Sequence, residues 1–430
     1  MANLTPFPEL SYRQQELYIE DISLTDLATI YGTPLYVYSY SALSKAYREF
    51  SEAFASRETM ICYAVKANGN LALLRELVML GAGFDIVSAG ELKRVLKAGG
   101  DPQKVVFSGV GKSKEEIIFA LNANIFCFNI ESEAELYRIQ ECASELNMDA
   151  NVSFRVNPDV DPKTHPYIST GLKNSKFGVP FDTAIDLYKK ANQLNNIIIK
   201  GIDCHIGSQI TDLNPFIEAL ERILELIDEL KHLGIIISHL DLGGGLGITY
   251  KDESPISLAA YAEALLSRLH GFSGKLVFEP GRRIIGNSGL LLTKVEFLKH
   301  SPEHQFAIVD AAMNDLVRPS LYDAWHEIIE VTRQPNLTLN EFDVAGPVCE
   351  TGDILGSKRK LSTKSGDLLA ILSTGAYGSV MSSNYNARSR AAEVLVYKDQ
   401  HYLISQRESF DDLIRRELTD FLTQSSLTKT

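Results

Sequence analysis

60-MICYAVKANGNLALLRELVMLGAGFDIVSA-89 holds one complete strand–helix–strand unit. Its first run, MICYAV, is apolar throughout, as a strand buried on both faces has to be. The next stretch, 70-NLALLRELVMLGAG, carries Leu73, Leu74, Leu77 and Val78 on one helical face, with Gly81 as a stop. FDIVSA then returns to strand. Outward from this unit the alternation recurs. The apolar runs 105-VVFSGV, 125-IFCFNI, 151-NVSFRVN, 197-IIIKGIDCHIGS, 236-IISHLDLGGG and 275-KLVFEPGR are mostly separated by amphipathic stretches such as 131-ESEAELYRIQECASEL. Repeated strand–helix units predict a parallel sheet. Eight of them predict a closed TIM (β/α)8 barrel. Runs of this length also suit buried helix, so the count of eight is the part of the expectation most open to correction.

Beyond residue 286 the pattern changes. The runs 290-LLLTKVEFL, 305-QFAIVDAAM, 368-LLAILSTGA and 393-EVLVYKDQHYLIS alternate in the manner of strands, the last as a hairpin turning at Lys398–Gln400. The chain is therefore expected to be α/β: an N-terminal segment 1–35 that joins the β domain through 16-ELYIEDISL, a barrel over 36–285, and a mainly β domain over 286–430. The tail 418-LTDFLTQSSLTKT is expected to fray.

The 430 residues are 45% hydrophobic and 23% charged, an ordinary globular composition. A net charge of −13 argues against nucleic acid as a partner. No apolar run approaches the roughly 18 residues of a membrane helix. The opening MANLTPFPEL lacks a signal-peptide pattern. Five scattered cysteines without a CxxC pair fit a reducing compartment, hence the cytoplasm, and offer no metal site. Cys62, Cys127 and Cys204 sit in apolar runs and read as core; Cys349 lies in the polar loop 345-AGPVCETGD.

In a parallel barrel the chemistry gathers at the carboxyl ends of the strands. The polar residues there are Lys66, Asp85 with Ser88, Ser108, Asn129, Arg155 with Asn157, His205 with Ser208, Gly243 to Gly245, and Glu279. A lysine in a semi-buried mouth is a nucleophile able to form a Schiff base, although a lysine at a strand end is more often simply solvated. The segment 241-DLGGGLG suits a phosphate or is only a tight turn. In 278-FEPGRR, Glu279 suits a pyridine nitrogen and Arg282 a carboxylate, or the two make a surface salt bridge. His205 suits stacking on a flat ring, or is a hydrogen-bonded core residue. Cys349, beside Glu350, suits a proton donor or is an incidental thiol.

In sequence order, 63-YAVKAN-68, 204-CHIGS-208, 241-DLGGG-245, 279-EPGR-282, 346-GPVCE-350 and 375-GAY-377 resemble the barrel-type (fold-type III) pyridoxal-phosphate (PLP) decarboxylases, over about residues 30 to 400. Among these, 204-CHIGSQ, 318-RPSLYDAWHEI and the Cys349–Glu350 pair are most similar to the diaminopimelate decarboxylase family. The resemblance implies decarboxylation of meso-2,6-diaminopimelate to L-lysine and CO2, the last step of lysine biosynthesis by that route. It implies Lys66 as the Schiff-base lysine and His205 as the stacking residue. It further implies Ser208, Gly244, Gly245, Glu279, Pro280, Gly281, Arg282 and Tyr377 around the cofactor. Arg282, Arg318 and Tyr322 would meet the substrate's distal carboxylate, Glu350 its distal ammonium, Tyr377 would also touch the substrate, and Cys349 would protonate the decarboxylated carbon. It implies a homodimer whose sites are shared, the cysteine loop coming from the neighbour. Thr351, where the family often has serine, is a minor departure. Against decarboxylases of ornithine, arginine or carboxynorspermidine stand Arg318 and Glu350. Against an alanine racemase stand EPGR and GPVCE, and against a non-catalytic partner-binding chain stand Lys66 and Cys349.

Overall fold

The computed structural model describes residues 4, 6, 7, 9–161, 176–301 and 304–418, so the tail after Leu418 lies outside the described residues. Eight strands form the barrel: β1 (Thr59–Ala64), β2 (Gly83–Ile86), β3 (Val105–Phe107), β4 (Cys127–Ile130), β5 (Ala150–Asn157), β6 (Ile197–Asp203), β7 (His239–Asp241) and β8 (Lys275–Phe278), with the two-residue strand Val179–Pro180 added beside the end of β5. Each pairs in parallel with the next, and β8 pairs with β1, so the sheet closes on itself. Seven outer helices follow β1 to β7. After β8 comes only the short helix Arg282–Ile285. Helix Tyr40–Ala53, which precedes β1, packs on the first and seventh of these helices and fills the eighth sector.

Strand alternation sorts the side chains. Ile61, Tyr63, Phe84, Phe107, Phe128, Phe154 and Phe278 point outward into the large core shared with the helices. Met60, Cys62, Val106, Cys127 and Val277 form a separate small cluster inside the barrel. Towards the carboxyl ends the inward positions turn polar, with Asp85, Asn129, Ser153, Asp203 and Asp241 each at most 1% exposed. Ser88 is not one of them. Its hydroxyl accepts from the Glu91 N–H and caps helix Ala89–Lys97, while the Glu91 carboxylate accepts from the Val87 N–H.

The β domain is built on strand Gly289–His300. Its antiparallel neighbour Leu35–Ser39 also pairs in parallel with Ala392–Tyr397, which turns through Lys398–Asp399 into Gln400–Ser405. Leu290 and Leu292 face one way, into a core with Leu17, Ile19, Leu24, Leu35 and Val394. Leu291 and Val295 face the other way, into the core shared with the barrel. The N-terminal strands form a small sheet of their own, docked on the β domain where the Leu17 N–H meets the Val331 carbonyl at 2.8 Å. Residues 36–39, which fall in the expected barrel span 36–285, pair with strands of the β domain. Strands Asn340–Ala345 and Ile354–Leu361 are additions to the expected pattern.

Gly201 on β6 lies in register with His239 on β7, and a Cβ at Gly201 would fall 2.1 Å from His239 Nε2. The imidazole takes the space a side chain would need. Gly201→Ala is expected to destabilise the protein by about 1–3 kcal/mol, the usual cost of overpacking. Adding His239→Ala should recover part of that loss. Denaturant unfolding of the two single variants and the double variant checks it, and simple additivity would contradict this packing.

Candidate active site

Lys66 sits in the turn Val65–Ala67 that follows β1, and its Nζ donates to Asp85 Oδ2 at 2.8 Å. Asp85, on β2, is fully buried. The lysine side chain keeps 37% of its surface, but it lies in a cavity walled by protein. Burial pulls its pKa down; the Asp85 and Glu279 carboxylates push it up and prevail, so it stands above the ordinary lysine value. Among the described residues, Lys66 without a ligand is an ion-paired ammonium.

Glu279 follows β8. Its Oε1 accepts from Ser108 Oγ and Asn129 Nδ2, both at 3.2 Å. On its far side one carboxylate oxygen from each of Asp203, Asp241 and Glu279 lies within 4.8 Å of the others. Arg155 on β5 pairs with Glu131 at 3.3 Å. The His205 Nδ1 accepts from the Gly244 N–H at 3.0 Å, which leaves the ring proton on Nε2. Burial, then Arg155 and Lys66, hold its pKa well below the ordinary value, so the ring is neutral.

The glycines act by letting backbones approach. A Cβ on Gly244 would fall 2.4 Å from the Glu279 carbonyl, and one on Gly245, whose φ is +106°, 2.6 Å from that of Gly207. Arg282 donates from Nη2 to Ser208 Oγ at 3.1 Å and from Nη1 to the Tyr250 hydroxyl, while its buried Nε has no partner. Arg318 donates from Nε to His326 Nε2 at 3.3 Å, an acceptor because Nδ1–H is turned to the Leu372 carbonyl at 2.9 Å. Tyr250 and Tyr377 present ring faces to both guanidinium groups. Neither arginine has a carboxylate partner among the described residues, and burial plus the neighbouring Arg282 lowers the pKa of Arg318.

One cavity of about 210 Å³ joins these parts. Its lining includes Lys66, His205, Ser208, Gly245, Glu279, Pro280, Gly281, Arg282, Arg318, Tyr322 and Tyr377, all singled out from the sequence, and also Phe177 and Met381. Gly244 stands just behind it, on His205. Cys349 and Glu350 do not line it: both are exposed, the Cys349 N–H donating to Asn386 Oδ1 at 2.9 Å and Glu350 accepting from the Tyr385 hydroxyl. Tyr250 and His326, which orient the two arginines, carried no special mark in the sequence, although His326 lies inside 318-RPSLYDAWHEI. Two buried cations that lack anions, an amine and a buried carboxylate on one cavity fit a ligand with a carbonyl, a basic ring nitrogen and anionic ends. PLP with an amino acid has all of these.

Residues 40–286 match the family described as pyridoxal-dependent decarboxylase, pyridoxal binding domain. The diaminopimelate decarboxylase of Pseudomonas aeruginosa is 54% identical over 407 residues, 95% of this chain and 98% of that one. That of Vibrio cholerae is 56% identical over 399 residues, 93% and 95% of the two chains. A crystal structure of diaminopimelate decarboxylase from Helicobacter pylori complexed with L-lysine superimposes with a TM-score of 0.88 at 42% identity, covering 94% of this chain and 99% of that one.

Removing the charge of Asp85 should free the amine. In cofactor-free protein, Asp85→Asn leaves burial to act on Lys66 with less opposition, so its pKa falls and more amine is unprotonated at pH 8. Acylation of Lys66 at that pH, followed by mass spectrometry, is expected to be faster in the variant. Equal rates would contradict the ion pair.

Proposed function

The chain belongs to the pyridoxal-dependent decarboxylases, within the diaminopimelate decarboxylase family, and from this premise we propose which of its residues perform each part of the work. It is a carboxy-lyase that converts meso-2,6-diaminopimelate to L-lysine and CO2 with PLP, in lysine biosynthesis. When bound, PLP supplies an electron sink for the charge left on the substrate carbon as CO2 departs. Lys66 provides the amine that anchors it, and Asp85 orients that amine. Glu279 holds a proton at the pyridine nitrogen, and Ser108 and Asn129 fix the carboxylate for that task. His205, neutral and held by the Gly244 N–H, offers its flat face to the ring. Ser208, Gly245, Gly281 and Arg282 hold the phosphate side, with Tyr377 beside them.

Arg282, Arg318 and Tyr322 receive the substrate's distal carboxylate, with Tyr377 beside them on the substrate. Burial keeps water from shielding the two guanidinium groups, which strengthens their pull on that anion. The distal ammonium falls to Glu350, and the proton for the carbon that lost CO2 comes from Cys349. Both belong to the neighbouring subunit of a homodimer. Their exposure on the chain's own surface, away from the cavity of Lys66, supports this sharing. We place the enzyme in the cytoplasm. All five cysteines are unpaired, as a reducing compartment keeps them, and no helix among the described residues is long and apolar enough to cross a membrane.

The observation that carries this reading is the single cavity that holds the Lys66 amine, the Glu279 carboxylate and two arginines without carboxylate partners. Purified enzyme supplied with PLP should release lysine and CO2 from meso-diaminopimelate. It should reject lysine and ornithine, which lack the distal carboxylate, by about 10⁴ in kcat/KM, as sites built for a missing polar group do. Comparable efficiency on ornithine would contradict the arginine assignment. For the shared site, coexpressed Lys66→Ala and Cys349→Ala chains, each inactive alone, should regain about a quarter of the unaltered activity, the fraction of sites that random pairing in a twofold dimer makes whole. No recovery would place both residues in one chain's own site.

A further inference from the structure

Beneath Glu279 the barrel holds an excess of carboxylates that its cations do not match. Five acidic side chains surround this level: Asp85, Glu131, Asp203, Asp241 and Glu279. Lys66 pairs with Asp85 and Arg155 with Glu131, which leaves Asp203, Asp241 and Glu279 without an ion pair of their own among the described residues. Asp203 and Asp241 are in register on neighbouring parallel strands, so their side chains point inward side by side. Both are at most 1% exposed. Donors are short here as well. Asp241 Oδ1 accepts from the Gly243 N–H at 2.9 Å, but Asp241 Oδ2, Asp203 Oδ1 and Asn129 Oδ1 are buried with no hydrogen-bond donor among the described residues. Acceptor oxygens packed against one another repel unless a proton lies between them, and like-charged carboxylates sharing a site cannot all ionise.

We propose that Asp203 and Asp241 both stay protonated in the working enzyme, and that Asp241 is a positioning residue, a carboxylic acid whose O–H restrains Glu279, so that the three carboxyls leave one net negative charge under the cofactor's ring. This rests on the assignment of Glu279 to the pyridine nitrogen. Burial, followed by the Asp241 carboxylate, raises the affinity of Asp203 and Glu279 for protons; burial, then Asp85, raises that of Asp241 up to about 7, against the lowering pull of the Gly243 N–H. A pyridinium N–H facing Glu279 supplies a positive charge that favours ionisation of that carboxyl first, while the acid pair behind it stays protonated. If both aspartates were ionised, three negative charges would face the ring, and the charge difference between protonated and neutral pyridine would no longer be set by Glu279. With both protons in place, the layer is a carboxylate on a carboxylic-acid support.

The test uses holoenzyme. Difference infrared spectra of the unaltered enzyme against Asp241→Asn should contain the carbonyl band of a protonated carboxylic acid, shifted in D2O and absent from the variant. Asp241→Asn, a neutral donor of the same shape, should retain PLP within about threefold of the unaltered affinity, whereas Asp241→Ala, which leaves acceptors bare, should lose about tenfold or more. The infrared band needs no altered protein to fold beyond the conservative variant. Its absence, an Asn variant no better than Ala, or a stoichiometric metal ion at the three carboxyls would overturn the proposal. A separate arm loads Glu279→Gln with PLP labelled with ¹⁵N in the ring. If the ring nitrogen signal stays where it was, the assignment of Glu279 fails, and a carboxylic-acid band that persists keeps the protonated aspartates apart from that failure.

Discussion

Closing eight parallel strands into a ring brings every carboxyl-terminal strand end to one rim, and this constraint organises the rest of the molecule. Lys66, Asp85, His205, Asp241 and Glu279 come from five different strand ends, far apart in sequence, and meet only because β8 pairs with β1. The floor of the barrel is apolar, with Met60, Cys62, Val106, Cys127 and Val277, so water is kept from the polar layer above it. Charge in that layer is therefore weakly screened, and the partner of each group decides its state.

The balance of charge gives the site its directionality. On the barrel side, carboxylates outnumber cations among the described residues and favour protons and positive groups, the Lys66 ammonium among them. On the side of the β domain, Arg282 and Arg318 lie among tyrosine faces with no carboxylate, and favour anions. A ligand with a cationic ring on one side and anionic ends on the other relieves both imbalances together. The β domain does more than cover the mouth: it supplies Arg318, Tyr322 and Tyr377, and its strand Gly289–His300 packs on the barrel core through Leu291 and Val295.

Much of this was legible in the sequence, for physical reasons. Strands buried on both faces must be apolar runs, so all eight barrel strands stood out. Of the eleven cavity residues, Lys66, His205, Ser208, Gly245, Glu279 and Arg282 stood out as polar or glycine residues at strand ends, while Arg318, Tyr322 and Tyr377 were marked only by the family resemblance. Other parts were hidden. Strand Leu35–Ser39 is buried at every position and pairs with segments some 250 and 350 residues later, a non-local contact that no local pattern marks. Strand Ile354–Leu361 is an edge strand that carries Lys358, Arg359 and Lys360, charges that protect an edge and mask strand periodicity. Ser88 was misplaced although Ser88 and Glu91 spell a capping box. Asp203 and Asp241 sat within quoted motifs, but an aspartate that ends a strand is usually solvated, and only closure of the ring shows that these two are not.

The central claim is that Lys66 carries the cofactor. Borohydride reduction of PLP-loaded enzyme, followed by proteolysis and mass spectrometry, tests it most directly. The account predicts one phosphopyridoxyl group per chain, on the peptide that contains Lys66 and on no other. Modification of a different lysine, or a cofactor that dialyses away unreduced, would contradict it.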